Sequence, residues 1–261
     1  MYKLFAKLLL VAIVLTLGIG SEFRVVQVQA RSTDMAPMEQ LKMDIAAQLA
    51  QQQTEINVTY NGDKSELSKS LAELLRQAVS ADDYIAYIVD SYFYTVRTWG
   101  LSAKIKLAVT YRETLEQSRL VDERVGEVLS GIVQPGMTVR DKVKKIHDWV
   151  VTNVEYDQSL SRYTAYEALN LGSAVCQGYT LLMYRMLEKA GIENRIIEGE
   201  VDTGSHVWNL VKLDGKWYHL DATWDDPVPD RAGTVGYKYF LKNDEQMRKD
   251  HTWVKAYPAS Y

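Results

Sequence analysis

Asp214-Gly215 stands between two strand-like runs, His206 to Lys212 and Lys216 to Leu220. Such a pair is the strongest short hairpin signal a sequence carries. A two-residue turn pairs Leu213 with Lys216. Counting outward, Trp208 faces Asp221 and His206 faces Thr223. His206 and Asp221 then share one face of a sheet, diagonally, with Cβ atoms roughly 7 Å apart or less. A slip of one residue would send them to opposite faces. The turn therefore constrains the fold and predicts an imidazole–carboxylate pair.

A third group completes a pattern. Cys176 is the only cysteine of 261 residues, so it has no disulfide partner within the chain. It precedes an apolar stripe (Leu182, Met183, Met186, Leu187, Ala190) that Gly191 closes as a helix C-terminus. With Ser173 as N-cap, Cys176 falls at N3, in the first turn of a buried helix. A thiol attacks as thiolate, and a helix N-terminus or an imidazolium lowers its pKa. A thiol, an imidazole and a carboxylate are the parts of a thiol acyl-transfer site.

Around this lie two units. Residues 31–133 read as a small α+β region: a helix from about 37, a strand over Ile56 to Tyr60, and a helix capped by Ser65. A short helix near Ala81, strands at Ser91–Thr98 and Ile105–Tyr111, and a helix carrying Val121, Val125 and Leu129 follow. No chemistry is evident there; it reads as a packing or targeting module, a pro-region over the cleft, or a hold on a partner. Residues 138–261 form the second unit, opening with a helix that Thr138 and Asp141 cap. His147, beside that helix's apolar stripe, reads as a surface or boundary residue.

Lys3 and Lys7 precede thirteen uncharged residues, Leu8 to Gly20, with small residues near Ala30. This is the pattern of a signal peptide over residues 1–30. Thirteen helical residues span about 20 Å, short of a hydrocarbon core of roughly 30 Å. The expectation is export to a secreted or cell-surface location; the alternative is an uncleaved N-terminal anchor, the only membrane contact expected. Net charge is −4. Residues 1–30 carry Lys3, Lys7, Arg24 and Glu22, a net +2, which leaves −6 for the rest. That is no footprint for nucleic acid. Without an H-x-x-x-H or C-x-x-C spacing, neither a metal nor another cofactor is expected.

Ala174-Val175-Cys176-Gln177-Gly178-Tyr179, Ser205-His206-Val207-Trp208-Asn209 and Leu220-Asp221-Ala222-Thr223-Trp224-Asp225 together resemble the core of the transglutaminase-like superfamily, in its bacterial form. Tyr239-Phe240-Leu241 and His251-Thr252-Trp253 resemble its tail. The likeness covers about 138–251. It implies an α+β, papain-like core with the cysteine at the start of a helix packed on an antiparallel sheet. It implies Cys176 as nucleophile, His206 as base and then acid, and Asp221 as orienter. Tyr156 matches the place of an oxyanion-steadying Trp, and Gln177, Trp208 and Trp224 are substrate-cleft candidates. Gln177 departs from the Trp that follows the nucleophile in animal transglutaminases. Asp225, Asp226 and Asp230 are too few for a calcium loop. Both points weigh against crosslinking. The expected activity is hydrolysis of protein or cell-wall peptide amides. The alternatives are transfer to an amine and a non-catalytic binding module.

Overall fold

The computed structural model describes residues 35–228 and 233–260; the leader reading of 1–30 and Asp230 fall outside them. Helix α1 (Pro37–Ala50), strand β1 (Glu55–Tyr60), α2 (Lys64–Val79) and α3 (Asp83–Ile88) come first. The hairpin β2 (Val89–Trp99) and β3 (Ser102–Tyr111) and then α4 (Leu115–Ile132) follow. The three strands form an antiparallel sheet in the order β1-β3-β2. Ala103, Ile105, Leu107 and Val109 point inward from β3, as strand alternation requires. Asp63, not Ser65, caps α2: its carboxylate accepts the Ser65 backbone N–H at 2.8 Å. A carboxylate is as good a cap as a hydroxyl and also faces the positive helix end.

The second half runs α5 (Val139–Asn153), β4 (Glu155–Tyr156), α6 (Ala165–Leu171), β5 (Ser173–Ala174) and α7 (Cys176–Lys189). It continues through β6 (Asn194–Val201), β7 (Gly204–Leu213), β8 (Lys216–Leu220), α8 (Ala222–Asp225), β9 (Phe240–Lys242) and α9 (Asp244–Met247). Strands β6-β7-β8-β9 make an antiparallel sheet. Leu213 pairs with Lys216, the predicted register. Asp214 and Gly215 take φ of 50° and 79°, the two left-handed residues that this tight turn demands.

Helix α7 lies on the face of β7 that carries Val207, Asn209 and Val211. Thr180 donates to the Val207 carbonyl at 3.0 Å and Asn209 to the Thr180 carbonyl at 3.2 Å. Leu181, Leu182, Met183, Met186 and Leu187 are wholly buried. Each contributes roughly 1.5–3 kcal/mol of transfer free energy, so this helix is anchored far more strongly than its polar contacts alone would hold it. The opposite face of the sheet buries Trp208 and Leu210 with Ile197, Tyr239 and Met247.

The sequence reading divides the chain between 133 and 138. In the structure, the described residues from 36 onward form one compact unit, and one apolar cluster draws on both sides of that division, from Leu41 to Leu241. Polar ties cross the division, one of them buried. Glu113, fully buried, accepts from Tyr84, Ser118 and the Tyr166 backbone N–H. Asp83 takes both Arg195 and the Ile196 N–H. Unpairing a buried carboxylate is costly, which locks the early elements onto α6 and β6.

Candidate active site

The short parallel pair β4–β5 sets the position of the cysteine. Glu155 pairs with Ser173 and Tyr156 with Ala174, and the Val175 N–H donates to the Arg162 carbonyl at 2.9 Å. Ser173 is therefore held in strand geometry and does not cap the helix. Val175 is the N-cap, with no side-chain cap bond, and Cys176 is the first helical residue rather than the third. The correction strengthens the electrostatics. At N1 the thiol sits beside backbone N–H groups that have no acceptor within the helix, at the positive end of its dipole.

His206, 5% exposed, lies between this thiol and a buried carboxylate. Its Nε2 is 2.7 Å from Asp221 Oδ2, which leaves Nδ1 as the nitrogen available to Cys176, its neighbour in the same cleft. Burial pulls the imidazole pKa down. The Asp221 charge and hydrogen bond, with Cys176, outweigh it and raise the value to about 10. The same contact works in reverse on Asp221: burial opposes its charge, yet His206 and His251 hold the carboxyl well below its usual range. The predicted diagonal pairing is thus the geometry found, although β8 stops at Leu220. Asp221 itself caps α8, accepting the Trp224 N–H at 3.2 Å.

The other cleft candidates separate. Tyr156 and Trp224 line a cleft of about 540 Å³ that opens on Cys176 and His206. Burial, then the neighbouring Cys176 charge, raise the Tyr156 phenol. Trp208 does not line the cleft. It is fully buried behind the histidine, stacked on it at 5.8 Å, and donates to His219 Nδ1 at 2.8 Å. Its side chain shares the His206 face but lies two residues further along β7, away from the cleft. Gln177 also leaves the cleft: its amide donates to the Tyr87 carbonyl at 3.0 Å, which fastens α7 to the end of α3. A residue at N2 points away from its N1 neighbour by about 100°, the helical step. Among the described residues, every lining group comes from Tyr156 onward, so residues 35–133 supply none of the cleft lining.

Several residues have contacts that their place in the sequence did not disclose. His147 is wholly buried rather than at the surface; its ring nitrogens face Asp225 at 3.2 Å and Asp148 at 3.4 Å. Burial opposes its charge, but those two carboxylates raise its pKa. Asp225 also accepts the Tyr239 N–H, and Asp226 accepts the Tyr179 hydroxyl from α7. The acidic run after Asp221 is thus a set of internal anchors. His251, wholly buried, faces Asp221 Oδ2 at 3.1 Å. Thr223 is 7% exposed, lines the cleft, and its hydroxyl has no hydrogen-bond partner in the structure. His206, Asp221 and His251 are also the one group among the described residues whose donor atoms, within 4.8 Å of one another, could hold a metal ion. Metal binding would require both imidazoles to give up the N–H bonds that Asp221 now accepts.

Residues 127–222 match the family model of the transglutaminase-like superfamily. The kyphoscoliosis peptidase of Homo sapiens is 28% identical across 48% of this chain and 22% of its own length. That of Mus musculus is 26% identical across 50% and 23%. The chain therefore spans less than a quarter of these curated relatives. A crystal structure of a TGase shares 15% identity at a TM-score of 0.39, covering 65% of this chain and 50% of its own. A candidate cysteine protease from Cytophaga hutchinsonii shares 12% at 0.36, covering 66% and 83%.

Proposed function

We propose that this chain, whose residues 127–222 match the transglutaminase-like family model, is a cysteine enzyme that cleaves peptide amides through a thioester on Cys176. The observation that carries this reading is the setting of His206: 2.7 Å to Asp221 on one nitrogen, with the helix-start thiol beside it in the same cleft. The Cys176 thiolate attacks the amide carbonyl. The charge that develops on oxygen meets the Cys176 backbone N–H and the Tyr156 hydroxyl, each such donor worth roughly 3 kcal/mol. His206 gives its Nδ1 proton to the departing amine, and the C–N bond breaks. His206 then takes a proton from water, which attacks the thioester and returns the thiol. Asp221 keeps the imidazole in one tautomer throughout.

The cleft walls support a polypeptide substrate. Tyr156, Leu160, Tyr163, Val175, Trp224 and Val228 offer aromatic and aliphatic faces. Such faces suit an apolar side chain beside the scissile bond. The curated relatives are named as peptidases, which favours water over an amine as acceptor. Export, with protein or cell-wall peptides as targets, follows from the leader pattern of residues 1–30. Incubation with a casein digest and a labelled primary amine separates the chemistries. New amino termini without label are expected. Label incorporated into glutamine would replace hydrolysis by transfer, and neither product would leave a binding module.

Thr223 should contribute to that binding. It lines the cleft, and its buried, unpaired hydroxyl would be satisfied by a peptide N–H or C=O bound there. Thr223→Val keeps the shape and removes the bond, so KM is expected to rise about tenfold, the worth of one buried hydrogen bond. The rate of Cys176 alkylation by iodoacetamide should stay unchanged. An unaltered KM would remove Thr223 from the substrate site.

A further inference from the structure

Segment 243–260 delivers a second histidine to the carboxylate behind His206. Asn243 caps α9, and Asp244 accepts from His219 at 3.0 Å and from the Ser260 N–H at 2.9 Å. Glu200 and Thr252 exchange two backbone hydrogen bonds of 2.9 Å each, an isolated bridge to the end of β6. Gly199 makes this approach possible: a Cβ there would strike the Thr252 carbonyl and the Trp208 ring. Between these two clamps, His251 is fully buried.

Two carboxylates face its ring. Nε2 lies 3.1 Å from Asp221 Oδ2 and Nδ1 lies 2.8 Å from Asp250 Oδ1. Carboxylates only accept, so each of these contacts is a hydrogen bond only through a proton on the ring nitrogen that faces it. The ring is held edge-on to Trp208 at 5.0 Å and Trp224 at 4.7 Å, and lies 5.1 Å from Tyr239. His206 lies 5.5 Å away across the shared carboxylate. Asp250 is in turn held by the Tyr239 hydroxyl at 2.7 Å and by Lys238 at 3.2 Å. Asp221, 1% exposed, therefore accepts three bonds: from His206, from the Trp224 N–H and from His251. Without His251, Oδ2 would keep His206 alone and Oδ1 the Trp224 N–H, and a buried carboxylate that loses a donor is less well held in its charged form and its orientation.

We infer that His251 is a positioning residue of this site, holding Asp221 ionised and turned toward His206, so that segment 243–260 is part of the catalytic apparatus. The inference rests on Cys176 acting as the nucleophile. His251 lies beyond the stretch matched by the family model, which ends at 222. It acts through Asp221 and touches no reacting atom.

Alkylation of Cys176 by iodoacetamide as a function of pH tests this without a substrate. In the wild type, alkylation should exceed that of a free thiol at pH 6 to 7. His251→Leu is expected to slow it about tenfold and move the acid limb of the profile roughly one unit toward that of a free thiol. His251→Gln, whose amide N–H can still reach Asp221, should recover much of the rate. Asp250→Ala, at a half-buried position, should shift the profile in the same direction but less, and serves if the His251 variants do not fold. Profiles superimposable on the wild type in the folded variants, whatever their Tm, would show that His251 only packs. A wild-type thiol no faster than a free one would overturn the nucleophile reading and this inference with it.

Discussion

Cys176→Ala should lower peptide amide turnover by a factor on the order of 10⁶, the scale seen when an acyl enzyme loses its nucleophile. The size follows from the division of labour in the site. Without the sulfur no thioester forms, and His206 with Asp221 has nothing to activate except water placed for the second step. What survives is the modest catalysis of the oxyanion donors and of binding, roughly 10³–10⁴ over the uncatalysed reaction. The fold should hardly register the change. Cys176 is half-buried, with no disulfide, and the deleted group is one atom at the head of a helix anchored by five buried side chains. A stability cost of about 1 kcal/mol is the expected ceiling. The check is turnover of a peptide substrate alongside far-UV circular dichroism and Tm. Activity within tenfold of wild type in a folded variant would assign the chemistry elsewhere.

The amino-acid sequence made the centre of the site readable because its constraints are local. Asp214-Gly215 sets a register, and strand parity carries it to His206 and Asp221 without knowledge of anything else. The helix that holds Cys176 announces itself through its apolar stripe. Features that rest on distant contacts were not readable in the same way. The N-cap moved from Ser173 to Val175 because a strand pair with residues 155–156 claims Ser173. Trp208 has the right parity for the cleft but the wrong depth, which depends on segment 243–260 covering that face. Gln177 is drawn aside by a carbonyl ninety residues earlier. His147 looks like a boundary residue until Asp225 and Asp148 are brought to its two nitrogens. His251 finds Asp221 thirty residues away through the bridge at Glu200, a pairing with no periodic signature.

Asp221 is where these local and distant constraints meet, and its loss should damage both activity and stability. Asp221→Asn keeps the shape but gives up the charge, and its amide N–H groups face donors. Two histidines then lose their shared acceptor. An orienting carboxylate replaced by its amide costs a triad enzyme roughly 10⁴ in turnover, through the wrong tautomer of the histidine. Breaking one side of a buried ion pair costs roughly 3–5 kcal/mol. For a chain of this size that corresponds to a fall in Tm of about 10 °C. The pH dependence carries the signature of the pair. Asp221 is depressed in the fold, so its contribution is present above its ordinary value near 4 and is lost as pH falls through the folded value. His206 is raised to about 10, so its contribution is complete below roughly 6.5 and fades as pH climbs to 10. In the variant, burial acts on His206 without the Asp221 charge to offset it, so protonation below pH 6.5 now costs stability. The gap in Tm between wild type and Asp221→Asn should therefore be widest between about pH 5 and 6.5 and narrow steadily toward pH 10. Parallel Tm curves across that range would mean that Asp221 is not the partner that keeps His206 charged.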